Sequence, residues 1–113
     1  MENNQITKEL NHSEVLGLVF ELHKGNYRLV QISCTKIPNG YEIIYSFDKN
    51  YNMLNLKVNI TEIDEILSIT SVYPYAFLYE NEMKDLFGVH IDNINVDFAG
   101  NLYKLPIKTP FKQ

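Results

Sequence analysis

Apolar residues recur along this chain with two different periods, and the switches between them mark out its elements. Val15, Leu18, Val19 and Leu22 stand at helical spacing and form one stripe. Ahead of them Asn11 and Glu14 have the spacing of a capping box, with Ser13 as a competing cap. Lys24 suits the negative end of the helix dipole, and Gly25 is the expected stop. These signals predict a helix over about 13–24.

From Tyr27 to Ile37 the period drops to two, with Leu29, Gln31, Ser33 and Thr35 interleaved with Val30, Ile32 and Cys34. Pro38-Asn39-Gly40 is a turn signal, and Tyr41–Phe47 follows as a second strand. Asp48-Lys49-Asn50 turns the chain again. Tyr51–Ile60 then alternates, with Met53 or Leu54, Leu56 and Val58 available to one face or the other. A helix beside a three-stranded antiparallel meander leaves an apolar sheet face in need of cover.

Thr61–Ser71 suits either period. Thr61 with Asp64 or Glu65 can start a helical turn, so the segment reads as a connection holding at most a short helix. The cover for the sheet comes next, in Tyr73–Val89, with Pro74 in a first turn and Gly88 at the close. At 100° per residue Tyr75, Ala76, Tyr79, Met83, Leu86 and Phe87 share one broad face. Glu80 falls on its margin, four residues before Lys84 and in the favourable order for an ion pair. On the other side Phe77 and Leu78 stand among Asn81, Glu82 and Asp85. Leu78, Glu82 and Asp85, at i, i+4 and i+7, form one row. Such a row reads either as a surface that a partner covers, or as one where the C-terminal arm covers Phe77 and Leu78 and the acids are solvated.

Beyond the helix, Val89–Ile94 and Val96–Phe98 are short extended pieces, and Lys104–Gln113, with Pro106 and Pro110, reads as an extended arm. The fold class expected is α+β: a helix, a three-stranded antiparallel meander, a second helix packed on the sheet and a short extended tail. Residues 1–10 are expected to fray, residues 11–103 to form a single domain, and residues 104–113 to form the arm.

Composition narrows the function. With 45% apolar and 21% charged residues in 113, the chain is an ordinary globular domain large enough for its own core. A net charge of −4 with Arg28 as the one arginine argues against nucleic acid. Cys34 stands alone, so the chain can form no internal disulfide and offers no cysteine set for zinc or an iron–sulfur cluster. It reads as a small buried hydrophobe. The N-terminus lacks the pattern of a signal peptide, and no apolar run is long enough to span a bilayer. The expectation is a cytoplasmic protein without direct membrane insertion.

His12, His23 and His90 are scattered, and no metal-ligand spacing, phosphate loop, nucleophile elbow or dinucleotide fingerprint is present. Glu82 and Asp85 are a carboxylate pair, but acid–base chemistry needs a cleft that one surface helix does not supply.

The stretch that gathers these acids resembles a known family. Ser68-Ile69-Thr70, Tyr73–Glu82 and Asp85-Leu86-Phe87-Gly88-Val89 are similar to the signature of the C subunit (30 kDa subunit) of respiratory NADH:quinone oxidoreductase. The same family includes the matching small subunit of energy-converting, membrane-bound nickel–iron hydrogenases. The signature runs Ser-Ile/Val-Thr, a Pro and an Ala, an aromatic, Glu-Arg-Glu, two variable residues, then Asp-Leu/Met-Phe-Gly-Ile. Asn81 stands where the family has Arg, and Lys84 replaces only the charge. His90-Ile91-Asp92-Asn93 stands where respiratory members continue with Gly-His-Pro and a paired-Arg motif, which favours the hydrogenase-type members.

The resemblance implies a subunit with no cofactor of its own, in the peripheral arm of a membrane-associated oxidoreductase. Its partners would be a large subunit of nickel–iron or quinone-site type and a small iron–sulfur subunit, which carry the metal centres. Its place would be peripheral, on the inner face of the cell membrane. Phe77, Leu78, Glu80, Asn81, Glu82, Asp85, Phe87 and Gly88 would carry the family motif and the subunit interface. Two readings outside the family stand beside it: a stand-alone binding or regulatory domain dimerising through Phe77 and Leu78, and a small hydrolase using Glu82 and Asp85.

Overall fold

The computed structural model describes residues 4–92. The first helix forms as its sequence signals direct. Asn11 and Glu14 make the reciprocal capping box around a 3-10 turn at His12–Glu14, which runs into α1, Val15–Lys24. Val15, Val19 and Leu22 are buried, and Leu18 packs half-buried beside them. Gly25 ends the helix, but Asn26 takes the left-handed conformation, φ 69°. Asn tolerates that region better than most residues with a side chain.

Three long strands follow: β2 (Arg28–Ile37), β3 (Gly40–Lys49) and β4 (Asn52–Thr61), paired antiparallel in chain order. The meander is as expected; its borders differ by physical detail. The second turn is Asn50-Tyr51, both at positive φ, as a two-residue hairpin twisted to suit its strands requires. At the first turn Gly40 serves close approach. A Cβ there would stand 1.8 Å from the Ile60 carbonyl oxygen on the neighbouring strand.

One strand departs from the expected pattern. Asn4–Glu9, placed by the sequence among frayed residues, forms β1 and pairs parallel with β4, from Asn4↔Asn52 to Glu9↔Lys57. Its polar composition hides it, because an edge strand with an open face needs little apolar surface. The sheet order is therefore β1-β4-β3-β2. Cross-strand side chains help hold the edge: Asn55 Nδ2 donates to Gln5 Oε1 at 3.0 Å, and Ser46 Oγ donates to Asn55 Oδ1 at 2.8 Å.

The register aligns Tyr41, Ile43, Tyr45 and Phe47 with Ile60, Val58, Leu56 and Leu54 on one face. That face and the buried stripes of both helices make one core. The second helix, α2, spans Ala76–Phe87 and closes on Gly88 at φ 76°. Thr61–Ser71 holds a strand where the sequence allows a short helix. Thr61 N–H does bond Asp64 Oδ2 in a turn, but Glu65–Leu67 is a strand, β5, paired parallel with β6, His90–Asp92. The arm at 104–113 and the extended piece at Val96–Phe98 lie outside the described residues.

Gly40→Ala is expected to destabilise the chain by about 2 kcal/mol or more, since the obstacle is backbone and cannot rotate away. Urea unfolding measures it, and a change below about 0.5 kcal/mol would refute the close-approach argument.

Candidate functional site

Helix α2 is fastened to the sheet by tyrosines. A bulge between Leu29 and Gln31 leaves Val30 as an extra residue in β2, the edge strand. Tyr79 donates its hydroxyl to the Val30 carbonyl at 3.2 Å, Tyr75 to Leu29 at 3.1 Å and Tyr73 to Tyr27 at 2.6 Å. Three carbonyls at the edge of the sheet are thus satisfied by the turn and helix that cover it. At the far end Tyr41 of β3 donates to the Phe87 carbonyl, one of the last carbonyls of α2, which have no partner inside the helix. The Tyr41 and Phe87 rings meet edge to face.

The buried stripe of α2 is Ala76, Glu80 and Met83, with Phe87 half-buried. Glu80, expected on the margin beside Lys84, sits at its centre with 0% exposure. Its carboxylate turns away from the exposed Lys84 to the segment before the helix. The Ile69 N–H donates to Oε2 at 2.8 Å, and Ser68 Oγ lies 2.7 Å from Oε1. Ser68 Oγ also accepts the Thr70 N–H at 3.0 Å and lies 2.7 Å from Thr70 Oγ1. Ser68, Ile69 and Thr70 are all buried. The helical face predicted for α2 is therefore rotated toward Glu80, and Leu86, assigned to the core side, is 70% exposed. Residue type argues against a central glutamate; the donors of Ser68-Ile69-Thr70 are what make it possible.

Burial pushes the Glu80 carboxyl up to about 7, against the opposing pull of the Ile69 N–H and Ser68 hydroxyl bonds. Its folded value thus lies above its unfolded one. The stability linked to it is full below the ordinary range near 4.5 and is lost as pH rises through about 7. The loss is on the order of 3 kcal/mol.

The outer side of α2 holds the remaining residues. Leu78, Glu82 and Asp85 are exposed in the expected row, Leu78 by 63%, and Leu86 extends it. Phe77 is half-buried. Asn81 turns its amide onto its own helix, donating to the Phe77 carbonyl at 3.0 Å. Glu82 and Asp85 lie on the open helix surface, apart from the buried Glu80. Cys34 of β2 is half-buried against the core, and burial pushes its thiol to about 11. Among the described residues no group of three or more His, Cys, Asp or Glu is placed to hold a metal ion. No described helix is long and apolar enough to cross a membrane.

Comparison with known proteins agrees with the motif. A family model described as respiratory-chain NADH dehydrogenase, 30 Kd subunit, matches residues 7–97. The C subunit of NADH-quinone oxidoreductase from Ruegeria pomeroyi is 35% identical over 66 residues, which are 54% of this chain and 33% of that protein. The C/D subunit of NADH-quinone oxidoreductase from Chromohalobacter salexigens is 33% identical over 92 residues, which are 78% of this chain and 14% of that protein. The chain thus spans a third or less of the length of these curated relatives. Among solved structures, a chain of the membrane-bound sulfane sulfur reductase, an archaeal respiratory membrane complex, superimposes with a TM-score of 0.75 at 17% identity. The match covers 83% of this chain and 60% of that one, and shows a shared fold.

Glu80→Gln keeps an acceptor for the Ile69 N–H and a donor for Ser68 Oγ, and carries no charge to bury. The variant is expected to lack the roughly 3 kcal/mol decline of the wild type between about pH 5 and pH 8. Glu80→Ala loses about 2–4 kcal/mol at low pH through its cavity and the stranded Ile69 N–H. Urea unfolding across pH reads both, and equal pH slopes in wild type and Glu80→Gln would refute the assignment.

Proposed function

The chain belongs to the respiratory-chain NADH dehydrogenase 30 kDa subunit family, and from that membership we propose that it is a non-catalytic docking subunit of a membrane-associated oxidoreductase complex. One observation carries the reading: the outer stripe of α2, where Leu78 and Leu86 are exposed beside Glu82 and Asp85. The tyrosines fix the inner face of the helix to the sheet and Glu80 fixes it to the Ser68–Thr70 segment, so the outer face is held in place while none of the described residues covers it. Rigid presentation lowers the ordering cost of association. Two aliphatic side chains supply the apolar centre of an interface, and two carboxylates supply charge for a basic partner surface.

Phe77, Leu78, Glu82 and Asp85 are the docking residues on this proposal. Glu80, Phe87 and Gly88 hold the helix that presents them, and Asn81 ties its amide to the helix itself. The partners are a large subunit of nickel–iron or quinone-site type and a small iron–sulfur subunit, whose centres carry the redox chemistry. Attachment to the membrane runs through those subunits, on the cytoplasmic side.

Two finer readings have separate support. His90-Ile91-Asp92-Asn93 after the helix favours an energy-converting nickel–iron hydrogenase. The names of both curated relatives favour an NADH:quinone-type complex. Nickel bound in the purified complex supports the first, and a nickel-free complex with quinone reductase activity supports the second.

The double variant Leu78→Asp/Leu86→Asp changes only exposed positions. The chain should therefore stay folded, at a cost of about 1–2 kcal/mol from the new like charges beside Glu82 and the lower helix propensity of Asp. Recovery of the large subunit with the tagged variant from native membranes should fall about tenfold or more. The large subunit is identified by mass spectrometry. Undiminished recovery would overturn the docking face.

A further inference from the structure

The buried cluster between α2 and the segment before it has a second property, independent of any partner. Ser68 Oγ has three polar neighbours: the Thr70 N–H at 3.0 Å, Thr70 Oγ1 at 2.7 Å and Glu80 Oε1 at 2.7 Å. A hydroxyl has one proton to donate and two lone pairs to accept with. The Thr70 N–H occupies one lone pair. Of the two remaining neighbours, Ser68 must therefore donate to one and accept from the other.

Two arrangements satisfy this, and they differ by one proton on Glu80. With Glu80 ionised, Thr70 Oγ1–H donates to Ser68, and Ser68 donates to the carboxylate. With Glu80 neutral, the carboxyl O–H donates to Ser68, and Ser68 donates to Thr70 Oγ1. The Ile69 N–H stays on Oε2 in both. Rotation of two hydroxyls converts one arrangement into the other, and every heavy-atom contact is kept. We propose that Glu80, Ser68 and Thr70 form a reversible binding site for a single proton inside the folded chain, with the hydroxyl pair reversing direction as the proton enters or leaves to solvent.

The surroundings suit a site that holds either charge state. A buried carboxylate is usually paired with a cation, but among the described residues the groups bonded to Glu80 are the Ser68 hydroxyl and the Ile69 amide. From the sheet, Tyr45 of β3 faces it with a buried hydroxyl that has no partner among the described residues. Cys34 of β2 is close enough to Tyr45 to act on it, and burial raises both groups, so neither is charged near neutral pH. The nearest charged residues along α2, Glu82 and Lys84, are exposed. Burial favours the neutral carboxyl, and the two donors keep the ionised form within reach.

The test is a carbon-13 NMR titration of the Glu80 carboxyl in the full chain. It should titrate once, near neutral pH, with the backbone spectrum of the fold unchanged. The hydroxyl variants should move the midpoint in opposite directions. Thr70→Val strands the Ser68 proton only in the neutral arrangement, so the midpoint should drop by about 0.5 or more. Ser68→Ala removes a donor to the ionised form, so the midpoint should rise by a similar amount, about 0.5 or more. Thr70→Ser should leave it in place. A wild-type midpoint in the ordinary carboxylate range would overturn the proposal, as would upward movement in both variants, which burial alone would give. Potentiometric titration against Glu80→Gln needs no hydroxyl variant. The wild type should take up about one more proton between about pH 9 and pH 5, and equal uptake would overturn the site.

Discussion

A buried carboxylate with no cation beside it among the described residues sits at the centre of this fold. Glu80 joins α2 to the Ser68–Thr70 segment, and the contact fixes how α2 lies on the sheet. The segment in turn follows β5, whose partner β6 comes after the helix. Chain on both sides of α2 is thus drawn to the same place. Turning the helix so that Glu80 reached water would bury Leu86 or Leu78 instead. It would also strand the Ile69 N–H, at a cost comparable to the charge burial avoided. The glutamate is tolerated because its donors are built into the backbone beside it.

The tyrosines solve a different problem with the same chemistry. A bulged edge strand exposes carbonyls that invite pairing with another chain. Tyr73, Tyr75 and Tyr79 cover those of Tyr27, Leu29 and Val30 with rings that pack and hydroxyls that donate. The high tyrosine content just before and within α2 therefore has a structural reason. A leucine at these positions would give burial without satisfying the carbonyls; a lysine would satisfy them without the packing.

Much of this is legible in the sequence. The capping box at Asn11 and Glu14, the stripe of α1, the three-stranded meander and the existence of α2 all follow from period and cap chemistry. What is not legible lies in long-range pairing. β1 carries no apolar alternation because only β4 holds it, and β5 is too short for a period of two to show. The inner face of α2 differs from its pattern around Glu80 and Leu86, because local pattern gives a charged residue to the margin and a leucine to the core. Ser68-Ile69-Thr70, which in the sequence stands out only as part of a family motif, holds the missing information: a hydroxyl and an amide that solvate a carboxylate, and a second hydroxyl bonded to the first.

The same arrangement explains how an acidic stretch divides its labour. Glu80, Glu82 and Asp85 lie within six residues, and composition alone treats them alike. The helix separates them. Glu80 faces inward, where its proton affinity is set by burial and two donors, while Glu82 and Asp85 face outward beside Leu78 and Leu86. Asn81, between the first two, gives its amide to the Phe77 carbonyl and leaves no cation to link them. An arginine there would carry a charge past its own helix and pair with either acid or with a partner. With asparagine, the inner carboxyl depends on hydroxyls and the outer pair is left for whatever covers the helix.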